Sequence, residues 1–229
     1  MPRILTVFSA ITLASCAQGQ PVNAPAHPQV IELFQSQGCS SCPPANAVLN
    51  DLADRKDLIT LSFAVTYWDY LGWKDGFATP QFTQRQYDYA HGLGAQVQTP
   101  QMVINGRGAI TGMRPSEVDQ ALRQFARTGR EPEISFLDGK LSIGALAGAK
   151  PAAVWLVRYD PRSLDVPVKA GENAGRTLPH RHIVKQLINL GTWSGQAASY
   201  VLPAAPAGLQ SAVLVQAGTG GPIIAARAL

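Results

Sequence analysis

Cysteine is scarce in this 229-residue chain, which has three in all. No second ligand pair stands at metal spacing, which argues against a zinc site. Charge is also thin, at 15% of residues, and the basic side chains are scattered with no run of five or more. Nucleic acid is therefore not implied, and the net charge of +4 supports only a modest pull towards anionic surfaces. No internal repeat is visible. Apolar residues, by contrast, make up 46% of the chain, enough for a folded core and against disorder. The length fits one or two domains.

What is present begins with a targeting pattern. Arg3 supplies a positive charge, Ile4 to Ala14 is apolar, and small residues follow. That run is too short to span a bilayer and matches the hydrophobic part of a secretion signal. It ends in Leu13-Ala14-Ser15-Cys16, which resembles the bacterial lipobox, where lipid is attached to the cysteine. The alternative is an ordinary cleaved signal with an incidental cysteine. Residues 1–16 are thus read as a signal and lipobox segment, with Cys16 as lipid anchor. Residues 17–28, rich in Gln, Pro, Ala and Asn, read as a flexible tether. The expected location is periplasmic, anchored to the membrane.

With Cys16 assigned to the anchor, the folded part holds Cys39 and Cys42 alone, in Cys39-Ser40-Ser41-Cys42. A disulfide across so short a gap closes a small loop and removes little entropy from the unfolded chain. It is a poor staple and a good redox couple.

Periodicity places this pair between a strand and a helix. Val30 to Phe34 is a buried-type strand, and Pro43 to Arg55 carries Ala45, Val48, Leu49 and Leu52 at helical spacing. Leu58 to Tyr67 reads as a second strand and Pro80 to Leu93 as a second helix. Gln101 to Ile104 and Ala109 to Thr111 flank Asn105-Gly106, a hairpin signal. Ser116 to Arg127 closes the unit as a third helix. The order β-α-β-α-β-β-α is that of the thioredoxin core, and it predicts an α/β fold with a mixed central sheet and helices on both faces. From Glu133 onward short strand-like runs alternate with Gly and Pro, and no amphipathic helix is evident. They predict a small β-sandwich-like domain. The expected domains are 29–130, thioredoxin-like, and 131–229, β-rich.

At the mouth of a helix, free amide N–H groups and the positive dipole end favour a thiolate on Cys39. Its pKa is then expected to fall from about 8.5 into the range of roughly 3.5–7.5. Cys39 is the expected attacking sulfur, open to solvent, and Cys42 the more sheltered resolving one. Thr99-Pro100 opens the third core strand, where a cis bond would present backbone groups beside the dithiol for an extended partner. Trp68 to Phe77 is the densest aromatic segment. Trp68, Asp69, Trp73 and Lys74 are candidate substrate-binding residues, with Asp69 or Lys74 tuning proton transfer at Cys42. The competing reading has these rings packing over the first helix.

Farther on, Gly171 to His182 concentrates turn residues and charge. His180 and His182 could ligate copper or zinc together, could belong to a structural loop, or the loop could abut the dithiol and shape access. Two histidines alone are an incomplete site, and no metal site is assigned.

Residues 30–112 resemble a family of exported bacterial proteins known only as a domain of unknown function with a thioredoxin-like fold. The match is carried by Glu32-Leu33-Phe34, Ser36 to Pro44, Tyr67 to Asp75 and Thr99 to Gly106, with Gly171 to Leu178 similar to a later segment of the same family. The resemblance implies that Cys39, Cys42 and Pro100 hold the positions of the two redox cysteines and the cis-proline of thioredoxin-like proteins. Gly38 stands where an aromatic is usual, and Ser40-Ser41 replaces the Gly-Pro of thioredoxin. Both departures bear on the direction of electron flow.

The sequence thus predicts an exported thiol-disulfide oxidoreductase acting on protein thiols and disulfides. Cys39 attacks, Cys42 resolves, Pro100 and Thr99 align the partner, and no organic cofactor is needed. The alternatives are a Cu(I)-binding or delivery protein and a redox-inert interaction module.

Overall fold

The computed structural model describes residues 27–127, 129–137 and 139–229. The signal and lipobox segment, Cys16, and all of the tether except His27 and Pro28 lie outside the described residues.

The N-terminal half follows the element order read from the sequence. Strand β1 (Gln29–Gln35) leads to helix α1 (Pro43–Leu52), strand β2 (Leu58–Ala64), a short 3-10 turn (Asp69–Leu71) and helix α2 (Pro80–Leu93). The hairpin β3 (Gln101–Ile104) and β4 (Gly108–Ile110) turns through Asn105 and Gly106, both at positive φ. Helix α3 (Pro115–Gln124) follows. Strand β1 lies parallel to β2 and antiparallel to β3.

Alternation along β1 sorts its side chains to two faces. Ile31 and Leu33 pack with Ala45, Val48 and Leu49 of α1 and with Val118 and Ala121 of α3. Val30 and Phe34 pack on the other side with Phe82 and Tyr89 of α2. Helices therefore cover both faces of this half. Glu32 points to the α2 face, where it accepts hydrogen bonds from Arg85 Nε at 2.6 Å and from the Tyr89 hydroxyl. Arg85 also donates to Gln216 at 3.2 Å and lies over the rings of Phe63, Tyr89 and Trp155. A buried charge pair is tolerable because its remaining donors are satisfied in this way.

The C-terminal half comprises β5 (Ile134–Leu137), β6 (Lys140–Ile143), β7 (Ala152–Asp160), β8 (Leu164–Pro167), β9 (Thr177–His180), β10 (Ile183–Trp193), β11 (Ala198–Val201), β12 (Gln210–Ala217) and β13 (Ile223–Ala228). Here the outcome differs from the expectation of a β-sandwich standing by itself. Four of these strands continue the first sheet, giving eight strands in the order β13-β12-β7-β10-β2-β1-β3-β4. The seam is Ile183 of β10 beside Ser62 of β2, where Ser62 N–H donates to the His182 carbonyl at 2.9 Å. All seven residues of β2 are buried, so this strand sits inside a sheet rather than at its rim.

The sandwich element survives in reduced form. The three-stranded sheet β11-β6-β5 lays Ile134, Leu141 and Ile143 against Val154, Leu156, Val213 and Val215 of the large sheet. The opposite face of β7 and β12, carrying Val157, Tyr159, Ala212 and Leu214, joins the same core as α2. Strands β8 and β9 pair only with each other. They were not distinguished from loop in the sequence.

Candidate functional site

The turn between β1 and α1 is drawn tight by local hydrogen bonds. Gly38 N–H donates to Ser36 Oγ at 3.0 Å, Cys39 N–H to the Ser36 carbonyl at 3.1 Å, and Cys42 N–H to the Cys39 carbonyl at 3.2 Å. Pro43 and Pro44 start α1, where missing N–H groups cost nothing, and Cys42 is the cap. Although a residue preceding proline disfavours the helical region, Cys42 has φ −77° and ψ −32°. Cys39 and Cys42 are joined as a disulfide with Cα atoms 5.5 Å apart.

The Thr99–Pro100 bond is cis, as the sequence suggested. Thr99 is brought to the sulfur from 60 positions away: its hydroxyl lies 3.4 Å from Cys39 Sγ and its carbonyl oxygen 3.8 Å. Ser41 Oγ stands 3.3 Å from the same sulfur and donates to the Thr99 carbonyl at 3.2 Å. Trp68 Nε1 donates to Thr99 Oγ1 at 2.7 Å. Behind this loop, Gln86 of α2 donates to the Gln98 carbonyl at 2.7 Å and to Gln101 at 2.9 Å.

The aromatic segment divides. Trp68 and Trp73 reach the site, the latter through Nε1 donating to Gln37 Oε1 at 2.8 Å. Trp68 also explains Gly38, since a Cβ there would stand 3.3 Å from Trp68 Cβ. Asp69 instead receives the Asp75 N–H at 3.2 Å and shapes the turn, while Lys74 is exposed and makes no hydrogen bond or ion pair among the described residues. The buried carboxylate near the dithiol is Asp75, which accepts from Gln37 N–H and Phe77 N–H, each at 2.9 Å. Burial pushes its pKa up, against the pull of those two amides. The sequence reading passed over it because nothing in the local pattern separates it from Asp69.

A further wall comes from segment 168–176, between β8 and β9. Asn173, fully buried, donates from Nδ2 to the carbonyls of Gln37 at 2.9 Å and Cys39 at 2.8 Å. Glu172 Oε2 accepts from Ser40 N–H at 2.9 Å. That amide, with the Ser40 hydroxyl, holds the Glu172 carboxyl below its ordinary range. Both sulfur-bearing residues are without exposed surface. Cys39 is therefore covered in this state, contrary to the expectation of an open sulfur, and a loop from far along the chain packs on the backbone of residues 37–40 beside it. Of the three readings of residues 171–182, abutment on the dithiol is the one the contacts match.

His180 is buried beside Phe77, with neither ring nitrogen hydrogen-bonded, and burial lowers its pKa to about 4. His182 turns away, its Nδ1 2.7 Å from Thr60 Oγ1 and its ring against Tyr159. Among the described residues no group of three His, Cys, Asp or Glu is placed to hold a metal ion. No described helix is long and apolar enough to cross a membrane.

Fold and site together define a mixed α/β protein with a large sheet and a covered Cys-x-x-Cys disulfide at a helix start. The chain belongs to the family described as protein of unknown function DUF1223, whose model matches residues 30–216. It is similar to a protein of Agrobacterium tumefaciens, solved by X-ray crystallography in a structural genomics programme, at 33% identity and a TM-score of 0.73. That match covers 88% of this chain and 93% of the other. It is also similar in fold to HBP35 of Porphyromonas gingivalis, at 13% identity and a TM-score of 0.62, covering 89% of this chain and 75% of that one. No curated protein matches the chain.

Proposed function

We propose that this protein is a thioredoxin-like thiol-disulfide oxidoreductase that exchanges the Cys39–Cys42 disulfide with protein thiols after export. The observation that carries the reading is the seating of Cys39 Sγ, three residues ahead of the Cys42 cap of α1, against both the hydroxyl and the carbonyl of Thr99. A structural staple has no need of such neighbours. A site that receives an extended partner does, because a backbone carbonyl beside the sulfur can accept a partner N–H.

The exchange balances as follows. A partner thiolate attacks Cys39 Sγ, the Cys39–Cys42 bond breaks, and Cys42 leaves with the electron pair and takes up a proton. A second partner thiol, deprotonated, then attacks the partner sulfur of the mixed disulfide and releases Cys39 as a thiolate. Two electrons have moved from the partner to the dithiol, and the partner holds a disulfide. In reverse, Cys39 attacks and Cys42 resolves. Thr99 Oγ1 is positioned to donate to the Cys39 thiolate, and Ser41 Oγ can do so by turning its hydrogen away from the Thr99 carbonyl. Trp68 and Trp73 brace this wall rather than present a charge to the partner. The sequence around Arg3 to Cys16 supports export and anchoring through Cys16 as part of the same reading.

Trapping tests it. A Cys42→Ser chain should accumulate mixed disulfides through Cys39 that disappear on reduction and are absent from the Cys39→Ser chain. If both variants give the same empty pattern against unfolded and folded proteins that carry disulfides, the oxidoreductase reading fails.

A further inference from the structure

Segment 168–176 is an unusual cover for a disulfide because it belongs to a hairpin that stands apart from the sheets. β8 and β9 pair only with one another, and an isolated two-stranded ribbon has little stability of its own. The segment is nonetheless internally braced. Val168 N–H donates to the Arg176 carbonyl at 2.9 Å, Gly175 N–H to the Val168 carbonyl at 2.9 Å, and Arg176 N–H to the Asn173 carbonyl at 3.1 Å. Arg176 also donates from its guanidinium to Asn173 Oδ1 at 2.7 Å. These bonds tie the two ends and the apex of the segment to one another. Below it the hairpin is held to α1 by Asn50, which donates to the Pro179 carbonyl at 3.1 Å and accepts from Arg181 N–H at 2.9 Å.

Over the dithiol the segment is fastened by the bonds of Asn173 to the carbonyls of Gln37 and Cys39, and by that of Glu172 to Ser40 N–H. The last bond depends on the state of the sulfurs. In the disulfide both are neutral, and the Ser40 amide is free to serve Glu172. Reduction with ionisation places a negative charge on Cys39, one residue from that amide. The thiolate then stands one residue from the amide that the Glu172 carboxylate occupies, where the two compete for that donor and their like charges repel.

We propose that segment 168–176 is a redox-coupled gate, fastened over Cys39 by Glu172 and Asn173 in the disulfide form and released when Cys39 becomes a thiolate. The gate rests on the oxidoreductase reading above and deepens it by adding a condition on partners. With both sulfurs fully covered, a folded protein thiol reaches Cys39 only after the gate opens, whereas a small thiol needs a far smaller opening. Linkage makes the coupling reciprocal: whatever factor reduction takes from closure, closure takes from reduction.

Two variants separate charge from fastening. Glu172→Gln keeps an acceptor for Ser40 N–H but removes the repulsion, and its exposed position leaves the fold undisturbed. Asn173→Ala removes the bonds to Gln37 and Cys39. Amide hydrogen exchange on the full chain, oxidised and reduced, reads the gate directly. Equilibration with a glutathione buffer and the rate of reduction by dithiothreitol read its coupling. In the unmodified chain, reduction should speed exchange at Gly175 and Arg176 at least ten-fold. Glu172→Gln should shrink that difference and shift the glutathione equilibrium towards the dithiol at least three-fold. Asn173→Ala should speed reduction at least ten-fold. Equal exchange of 168–176 in both redox states, or a Glu172→Gln equilibrium identical to that of the unmodified chain, overturns the gate. Redox-dependent opening with no trapped partner would instead uphold the gate and remove the oxidoreductase reading.

Discussion

His180 carries a buried imidazole with no hydrogen bond on either nitrogen, and its pKa lies near 4 because burial penalises the charged ring. The sign follows from where the proton binds. Below the ordinary value of 6.5 the unfolded chain takes up a proton that the folded one refuses, so stability present above that pH is lost as pH falls towards 4. At about 1.4 kcal/mol per pH unit, the loss from this group between about pH 7.5 and about pH 4.5 is roughly 2–3 kcal/mol. Urea unfolding of His180→Phe should show a pH dependence shallower by that amount, and an unchanged slope would show that the ring is solvated. At this scale the site was half legible. Cys39, Cys42 and Thr99 announce themselves by type and spacing. Asn173 and Glu172 reach the dithiol across 134 and 132 positions, and no local pattern encodes such an approach.

Among the elements, α2 and the β12–β13 turn meet with almost no space between their backbones. A Cβ on Gly220 would fall 1.8 Å from the Asp88 carbonyl oxygen, and Gly220 has φ +64°. Gly218, in the same turn with φ +67°, has nothing within 4 Å of its would-be Cβ. The two therefore separate backbone strain from collision. Gly218→Ala should cost about 1 kcal/mol through φ alone, and Gly220→Ala about 2–4 kcal/mol, since main chain cannot step aside. Thermal unfolding should then put Gly220→Ala about 5–15 °C below the unmodified protein, at roughly 2–4 °C per kcal/mol for a chain of this size. Helices α1 to α3 and most strands were readable because each carries its own period. Strands β8 and β9 were not, since Pro167 and Pro179 interrupt short polar runs in which proline argues against a strand.

For the molecule as a whole, the eight-stranded sheet makes the two halves mutually dependent. Residues 29–130 alone would leave β2, buried along its full length, as an open rim beside a half-built core. Expressed separately, that piece should fail to give a cooperative unfolding transition by circular dichroism, while residues 27–229 unfold in one step. A fragment that melts cooperatively would support a domain division at residue 130. The sequence pointed to strands in the second half but not to their partners. A strand's alternation reports which face is buried, not whether its neighbour comes from its own hairpin or from a strand 121 positions earlier, as Ser62 is to Ile183.

Chain order adds a matter of timing. The dithiol lies early in the polypeptide, and the hairpin that shelters it is reached only after β7. A newly made or refolding chain accordingly passes through a stage in which its sulfurs are bare, meeting whatever oxidant surrounds them before any roof exists. The hairpin docks only afterwards, on the turn that carries them.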